Sequence, residues 1–465
     1  MNRILAGMAL ATILALAGCG GGTESAGGDD ALVIYSAHSD EIIAEFTTGF
    51  QAWYKRETGR DVKVSWPDPG GGGTHMLKRL EDKLRAGRFD VDVVFGGGGM
   101  IFEQMKQLGM LEPCRLPDDV LAAIPDKVAG QPIFDRDFCY YGAAISTFGI
   151  LYNKTMIQEK GLPEVKDWET LADPKYLGLV GAGDASKSSS VRRAYEIILQ
   201  AYGYEKGMRI LVAMGANARE FYGAASDIPR NCAKGFVALG PCIDFYAFRQ
   251  MRSEGGERLG FLAPSGLTVI NADPIAILRK APSPKVARKF VEFVMRPEGQ
   301  RLWMLPAGAP GGPTKFTLER LSVLPSLYET AGAAGGAAAR MNPFQAKPAD
   351  FFDPNKENIR QTILADYLRV ALVENHAGLV KAWKALIAAG LPEARVAELV
   401  KPLITEQEML TLGKDVWTPA VAPDDASAEV KARLTRDEEA RQRRKSDLET
   451  RWSEQLRTRY ESLAK

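Results

Sequence analysis

The sequence has little histidine, little cysteine and almost no net charge, and each scarcity argues against a class of function. Its 465 residues include three His and five Cys, and the formal net charge at pH 7 is +1. A chain this close to neutrality lacks the global field that attracts nucleic acid, so we predict no nucleic-acid partner. The three histidines are scattered, and neither G-x-S-x-G nor H-E-x-x-H occurs. We therefore predict no enzymatic activity, no cofactor and no resident metal, and keep a secreted hydrolase as an alternative.

The N-terminus predicts export and membrane anchoring. Arg3 is the one charge before an apolar run at residues 4–16, which is too short to span a bilayer but typical of a signal peptide. The next residues, ending at Cys19, resemble the lipobox of bacterial lipoproteins. This resemblance implies a signal peptide at 1–18, a lipid on Cys19 and a periplasmic, membrane-anchored protein; an ordinary signal peptide cut nearby is the alternative. The Gly- and Ser-rich residues 19–31 predict a flexible tether.

The four remaining cysteines form an even number in an oxidising compartment, which favours disulfides. Proximity in the sequence suggests Cys114 with Cys139 and Cys232 with Cys242, although four cysteines allow three connectivities. A zinc site is the alternative, but the spacings fit no common zinc module. The remaining composition, 46% hydrophobic and 25% charged residues, is that of a globular protein long enough for two or three domains.

Residues 32–109 alternate short apolar runs with apolar stripes at helical spacing, which predicts a doubly wound parallel α/β sheet. Ligands bind such sheets beyond the carboxyl ends of the strands. Two of these ends carry candidate ligand residues, Ser36 and His38 after the first strand and Gly97 and Gly98 after the third. The glycines do not form G-x-G-x-x-G with an acidic residue beyond, so we exclude a dinucleotide; a plain flexible turn is the alternative.

The most informative stretch begins with an apolar run at residues 177–180 and continues into a helical stripe that includes Val191 and Tyr195. The loop between them enters a helix N-terminus, where backbone N–H groups lack partners and the helix dipole is positive. Small hydroxyl residues let an anion reach those donors. The loop differs from a P-loop because Ser186 replaces its second glycine. We therefore predict an anion-binding loop, or anion cradle, formed by Ser186, Lys187, Ser188, Ser189 and Ser190. The alternative is that these serines only cap the helix.

Several ordered motifs between residues 32 and 305 resemble one family, the solute-binding proteins of bacterial ABC importers. The resemblance is to the cluster that serves ferric iron, thiamine, polyamines, phosphonates and sugar phosphates. The motifs are VIYSAHSDEIIAEFTTGF, VDVVFGGGG, ILYNKTMI with DWETLADPKYLG, ASDIPRNCAKG, and ADPIAILRKAPSPKVARKFVEFVMRPEGQ. The resemblance implies a small-molecule solute, a permease partner in the inner membrane and a monomer.

The resemblance also implies a fold and its division. We expect a two-lobed type II periplasmic binding protein, with doubly wound sheets joined by a hinge and extra C-terminal helices. The long apolar run at residues 140–152 could pass between the lobes. A stripe recurring every four residues, including Trp452, predicts a C-terminal helix laid on a surface. The predicted units are a first lobe at 32–140 and 265–305, a second lobe at 141–264 and 306–423, and a charged helix at 424–465.

The residues favour an anionic solute over ferric iron. Ferric members of the family use a His after the first strand, a Glu after the third and a pair of tyrosines in the second lobe. Here His38 is present, but glycines replace the Glu, and Phe245-Tyr246 replaces the pair of tyrosines. Two of the anionic oxygens that a hard cation needs are therefore missing. We predict a phosphate ester or phosphonate, with ferric iron, polyamine or thiamine binding and a scaffold lipoprotein as alternatives. The predicted ligand-binding residues are Ser36, His38, Gly97, Gly98, Ser186, Lys187, Ser188, Ser189, Ser190, Tyr222, Asp227, Asp244 and Tyr246.

Overall fold

The computed structural model describes residues 30–70, 73–254, 256–331, 336, 341–418 and 427–465. The predicted signal peptide, Cys19 and nearly all of the predicted tether lie outside these residues. Among the helices within the described ranges, none is both long and apolar enough to cross a membrane.

In the part of the chain that the structure describes, ten strands form one continuous mixed sheet, and a short hairpin is separate from it. The sheet order is β2-β1-β3-β12-β7-β10-β8-β9, with β4 beside β12 and β11 beside β7. The strands are β1 Asp30–Ser36, β2 Val62–Ser65, β3 Val93–Phe95, β4 Leu111–Glu112, β5 Lys127–Val128, β6 Gln131–Pro132, β7 Tyr141–Asn153, β8 Val180–Gly183, β9 Ala218–Tyr222, β10 Leu239–Ile243, β11 Leu259–Leu262 and β12 Ile270–Leu278.

Helices cover the faces of the sheet and dominate the last third of the chain. Among the described residues, short 3₁₀ or π helices lie at Trp168–Ala172, Pro174–Tyr176, Pro343–Gln345, Arg369–Glu374 and Gly413–Trp417. The α-helices are α1 Asp40–Thr58, α2 Gly73–Arg85, α3 Gly99–Gln107, α4 Asp118–Ala123, α5 Lys154–Glu159, α6 Ser189–Tyr202, α7 Tyr204–Asn217, α8 Asp227–Ala233, α9 Asp244–Ser253, α10 Pro284–Met295, α11 Pro297–Met304, α12 Pro325–Ala331, α13 Pro354–Leu368, α14 His376–Ala388, α15 Glu393–Val400, α16 Glu406–Leu412 and α17 Ala428–Leu463.

Strand β7 joins the two halves of the molecule. Its first half pairs antiparallel with β12, from Tyr141 to Thr147. Its second half, from Phe148 onward, pairs antiparallel with β10 and β11 instead. The strand is buried along nearly its whole length, as expected for a segment covered on both faces. The long apolar run of the sequence therefore passes from one lobe to the other.

The first lobe is the parallel β-α-β arrangement that the sequence predicts. Strand β1 pairs in parallel with β2 on one side and β3 on the other. Helix α1 presents the buried rings of Phe46, Phe50 and Trp53 to this sheet and to α10, and Phe50 packs edge-to-face on Phe290 with ring centroids 5.0 Å apart. Burial of each such side chain contributes ~1.5–3 kcal/mol, so this apolar stripe determines how α1 packs against the sheet.

The second lobe is built on β8, which pairs in parallel with both β9 and β10. Its core extends into the C-terminal helices, because α17 buries Trp452, Leu456 and Tyr460 there. The Trp452 ring stacks on Trp417 at 5.7 Å. The helix predicted from the four-residue stripe is therefore confirmed, and its apolar face belongs to the lobe's core rather than to a shallow surface contact.

One segment lies in a different lobe from the one expected. The sequence assigned residues 306–423 to the second lobe, yet Leu321, Val323 and Leu327 pack in the core of the first. The cause is a β-bridge between Ile145 and Leu321, which ties this segment to the first half of β7. The chain contributes to the second-lobe core again from Ala349 onward.

The predicted disulfides are not formed in the structure, where Cys114, Cys139, Cys232 and Cys242 are buried free thiols. Cys114 and Cys139 pack into separate apolar clusters. Cys232 and Cys242 share a cluster, but each Sγ lies against a backbone carbonyl, at 3.5 Å from Ala238 and 3.1 Å from Ile243. Burial raises the pKa of the Cys232 thiol to about 12, so this group is a poor nucleophile.

Candidate functional site

A cavity of about 510 Å³ opens between the lobes and is lined from both of them. Four helices of eight or more residues, α1, α3, α6 and α9, begin at its wall and present residues such as Ser39, Gly98, Ser189 and Phe245. The first N–H groups of each helix have no intrahelical partner and carry partial positive charge. The converging helix ends make the cavity a site for groups that accept hydrogen bonds.

The first-lobe wall is held by short-range contacts at the strand ends. Ser36 Oγ donates to the Phe95 carbonyl at 2.9 Å and accepts from the His38 N–H at 3.1 Å. Ser36 therefore positions the His38 loop and does not line the cavity itself. Gly97 has φ 108°, and a Cβ there would lie 3.2 Å from the Gly73 Cα, so this turn requires glycine.

Asp273 connects three segments beneath the cavity. Its Oδ2 accepts from Arg320 Nη2 at 2.8 Å and from His38 Nε2 at 3.1 Å, and its Oδ1 accepts from the Gly98 N–H at 3.2 Å. Burial disfavours ionisation of Asp273, but the His38 hydrogen bond and the Arg320 charge outweigh it and hold the pKa well below its usual range. Burial lowers the pKa of His38, against the opposing pull of Asp273. The imidazole is therefore neutral near pH 7, with Nε2–H on the carboxylate.

Aromatic rings from both lobes enclose the Arg320 side chain. Its guanidinium carbon lies 4.4 Å from the centroid of the Phe245 ring and 5.4 Å from that of Trp303. The side chain is only 3% exposed. A cation held over ring faces in a low-dielectric setting gains from the ring quadrupoles, so Arg320 is fixed in place at the cavity floor.

The second-lobe wall is the N-terminus of α6. Ser188 Oγ accepts from the Val191 N–H at 3.4 Å and so caps the helix, while Ser189 and Ser190 line the cavity beside it. Lys187 also lines the cavity, with Nζ 3.5 Å from Asp184 Oδ2 and the side chain 67% exposed. The predicted cradle is thus partly a capping motif, as in the alternative weighed above.

Eight of the thirteen predicted ligand-binding residues line the cavity, and five do not. Beyond Ser36, the excluded residues have other partners. Ser186 Oγ donates to Asp184 Oδ1 at 2.6 Å, and Asp227 pairs with Arg230 at 2.9 Å. The buried Tyr222 packs against Gly181, and Asp244 is buried below the surface of the cavity. The eight lining residues are His38, Gly97, Gly98, Lys187, Ser188, Ser189, Ser190 and Tyr246.

Asp244 ties α9 to the point where β7 changes partners. Its carboxylate accepts from the Thr147 N–H at 2.9 Å and from the Phe245 N–H at 2.7 Å. The residue is only 1% exposed. Burial raises its pKa to about 7, although these hydrogen bonds and the Arg320 charge oppose the change. Asp244 therefore joins the start of α9 to the middle of β7 and does not itself line the cavity.

This structure resembles known proteins in both sequence and fold. Residues 91–318 match the family described as bacterial extracellular solute-binding protein. The phosphoglycerate transport regulatory protein PgtC of Salmonella typhimurium is 22% identical over 383 residues, which cover 79% of this chain and 86% of that protein. The periplasmic binding protein AfuA of Actinobacillus pleuropneumoniae superimposes with a TM-score of 0.50 at 19% identity, covering 71% of this chain and 90% of that one. Apo ferric ion-binding protein A of Pasteurella haemolytica gives 0.53 at 16% identity, covering 76% and 98%.

This chain has the two-lobed α/β fold of periplasmic binding proteins. The two-lobed α/β fold that the ordered motifs predict is confirmed, and the predicted resemblance to solute-binding proteins agrees with the family match over residues 91–318.

Most of the charged residues that line the cavity could not be predicted from the sequence. Of the described residues that line the cavity, six are cationic and three are acidic, Glu41, Asp273 and Glu357. Arg192 and Arg193 had a local signal, since they follow Ser190 in the first turns of α6. The other unpredicted charged residues had no such local signal in the sequence, because they reach the cavity from separate elements. The six cations are Lys187, Arg192, Arg193, Arg249, Arg252 and Arg320.

Replacement of Asp244 by Asn is expected to change how the stability of this protein depends on pH. Because the folded-state pKa is about 7 and the ordinary value is 3.8, the folded state binds the proton more tightly. The Asp244 titration therefore lowers the free energy of unfolding as pH rises from about 4 to about 7, by up to about 4 kcal/mol. Urea unfolding at pH 4.5 and pH 7.5 should show that Asp244→Asn loses this component.

The comparison concerns the change with pH and not the absolute stability. Asn can accept only one of the two backbone hydrogen bonds, so the variant is expected to be less stable at both pH values. His38 and His376, whose pKa values burial lowers, titrate with the opposite sign in both proteins and cancel in the difference. Equal pH slopes in the two proteins would contradict the assignment.

Proposed function

We propose that this protein captures an anionic organic solute, a phosphate ester or phosphonate, in the cavity between its lobes and delivers it to the permease of an ABC importer. It does so outside the inner membrane, held there by a lipid on Cys19. The single observation that carries the solute class is the charge of the cavity wall. Six cationic and three acidic side chains line it within the described ranges, and helix N-termini converge on the same space.

Each lobe contributes different groups to the binding of the solute. Ser189, Ser190 and the free N–H groups of α6 hold the phosphoryl oxygens, and Lys187 adds charge at the rim. Gly97 and Gly98 present bare backbone from the facing lobe. A charge-assisted hydrogen bond contributes ~1.5–3 kcal/mol. Four of them reach the ~8 kcal/mol of micromolar binding after part is lost to ordering.

Two relatives support this class of solute. PgtC is named for phosphoglycerate transport, and the AfuA structure was solved with fructose-6-phosphate bound. Both compounds carry a phosphate ester on a small hydroxylated body. Tyr246, which lines the cavity, is placed to bind the hydroxyl groups of such a body.

Ferric iron is the second candidate, because ferric ion-binding protein A shares the fold. The donors of this cavity fit it poorly. His38 Nε2 is already held by Asp273, and Tyr246 is the one tyrosine among the described lining residues. A hard trivalent cation needs several anionic oxygens, whereas a wall with more cations than acids repels it. The same excess of positive charge disfavours a polyamine.

A thermal-shift screen of the full chain tests the proposal. The compounds are glycerol 3-phosphate, fructose 6-phosphate, methylphosphonate, spermidine, thiamine and ferric citrate. We expect a phosphate or phosphonate to raise Tm, since a ligand at a hundredfold over its Kd stabilises by ~2.7 kcal/mol. The double variant Lys187→Ala with Ser189→Ala should show a clearly smaller shift.

The matched control is Lys234→Ala, which removes an exposed lysine of the same lobe that does not line the cavity. It should keep the full shift. If spermidine or ferric citrate is the one compound that raises Tm, the anionic solute class is wrong.

A further inference from the structure

The cations of the cavity differ in whether the protein itself neutralises them. Lys187 pairs with Asp184 at 3.5 Å and Arg252 with Glu319 at 3.5 Å, and Arg320 pairs with Asp273 at 2.8 Å. Arg193 contacts Glu357 and Arg249 contacts Glu41. Five of the six cavity cations therefore already hold a carboxylate of the chain.

Arg192 is the exception. Within the described ranges, Arg192 forms no ion pair and no side-chain hydrogen bond, and carboxylates act on its charge only from a longer distance. The neighbouring Glu357 is taken by Arg193, and both Glu357 and Asp366 act on Arg192 only through longer-range attraction. Burial is the main influence on Arg192 and lowers its pKa, but the group remains charged near pH 7 because an arginine titrates far above that value.

We propose that Arg192 is the residue that binds the charged end of the solute, and that it selects a dianionic phosphate monoester or phosphonate over a monoanion. The inference rests on the proposed function and refines it. An anion that binds to a neutralised cation must compete with a carboxylate of the chain, whereas Arg192 offers an uncompensated charge. Its planar fork also matches two oxygens of one phosphoryl group.

The position of Arg192 fits this role better than that of Lys187, the cation favoured by the sequence. Lys187 is 67% exposed, so water and salt screen its charge. Arg192 is half-buried and stands in the first turns of α6, where its N–H donates to the Ser188 carbonyl at 3.0 Å. The side chain thus adds its charge to the positive end of the same helix that presents Ser189 and Ser190.

Calorimetric titration of the full chain with methylphosphonate and glycerol 3-phosphate at pH 8 tests this role. Each probe is mainly a dianion there, because the second pKa of a phosphate monoester is near 6, and that of an alkylphosphonate is higher but still below about 8. We expect Arg192→Gln to weaken both by about 10- to 100-fold, the loss of one charge-assisted contact. Arg192→Lys keeps the positive charge but loses the planar guanidinium. Its affinities should therefore lie between those of the wild type and those of Arg192→Gln.

Methanesulfonate, a tetrahedral monoanion, measures the selectivity. The wild-type protein should prefer methylphosphonate to methanesulfonate by at least about tenfold, and Arg192→Gln should lose most of that preference. Because no ion pair is broken, we expect the Tm of the free variant to stay within about 2 °C of wild type. The charge-matched control is Arg209→Gln, an exposed arginine of α7 outside the cavity, and its affinities should change by less than about twofold.

The outcomes separate this inference from the function on which it rests. Wild-type binding of neither probe would overturn the solute class and, with it, the role of Arg192. Wild-type binding that Arg192→Gln leaves within about threefold would overturn the role of Arg192 alone. If Arg192→Gln fails to fold, Arg192→Lys decides, because unchanged affinity and unchanged selectivity in that variant contradict recognition by the planar fork.

Discussion

Arg360→Leu is expected to lower the free energy of unfolding by about 3–5 kcal/mol, the cost of leaving a buried charge without its partner. Arg360 is fully buried, and its Nε and Nη2 bind Glu196 at 2.7–3.0 Å. Its Nη1 binds Glu406 at 2.6 Å. Glu196 is 1% exposed, so without the arginine its carboxylate must either stay ionised in an apolar setting or take up a proton. Urea unfolding at pH 7 measures the loss.

The double variant Glu196→Gln with Arg360→Met distinguishes two quantities. One is the destabilisation by an unpaired buried charge, and the other is the net contribution of the ion pair to the free energy of unfolding. Because replacing both partners removes the buried charge, it should recover at least half of the lost stability. Lys55→Leu is the control for ion pairs in general, since Lys55 and Asp61 are paired at 2.9 Å but 60% and 64% exposed. It should cost less than about 1 kcal/mol. A small effect of Arg360→Leu would show that this network adds little to the second lobe.

Asp273→Ala is expected to have a comparable effect on stability and to abolish binding as well. The substitution leaves Arg320 buried and without its carboxylate, which costs about 3–5 kcal/mol. It also releases His38 and the Gly98 N–H from their common acceptor. We expect titration with glycerol 3-phosphate to show no measurable binding at concentrations that saturate the wild type, together with a lower urea midpoint.

Asp273→Asn is the matched variant, because it keeps the shape and part of the acceptor capacity while removing the charge. Its stability and its affinity for glycerol 3-phosphate should lie between those of the wild type and those of Asp273→Ala. The wild-type pKa of Asp273 is held well below its usual range, so its contribution is complete above about pH 4 and is lost as pH falls through the lowered folded-state value. Asp273→Asn should lack that acid-dependent part. Normal glycerol 3-phosphate affinity in Asp273→Ala would contradict the role given to this carboxylate.

The parts of the site that could be predicted are those encoded within a few residues of chain. Ser188, Ser189 and Ser190 stand between a strand and a helical stripe, and Gly97 and Gly98 follow a buried strand. In each case the strand end, the turn and the helix start are local. The sequence therefore placed these residues at a ligand-binding edge, and all five line the cavity.

The parts that could not be predicted depend on residues far apart in the chain. His38 and Asp273 are 235 residues apart, and their contact at 3.1 Å exists because β12 returns beside β3. Arg320 reaches the site on a segment whose lobe the sequence assigned differently. The cysteine pairs failed for a related reason, since proximity in sequence put Cys114 and Cys139 together whereas packing put them into separate clusters.

The sequence alone determined the alternation of strands and helices, the resemblance to solute-binding proteins and the strand and helix ends that line the cavity. These features follow from periodicity and from backbone groups whose partners lie within one turn. The tertiary structure decided which charges meet in the cleft and which of them the protein neutralises itself. That outcome depends on burial and on distances between elements far apart in sequence, because a charge has its effect through what surrounds it.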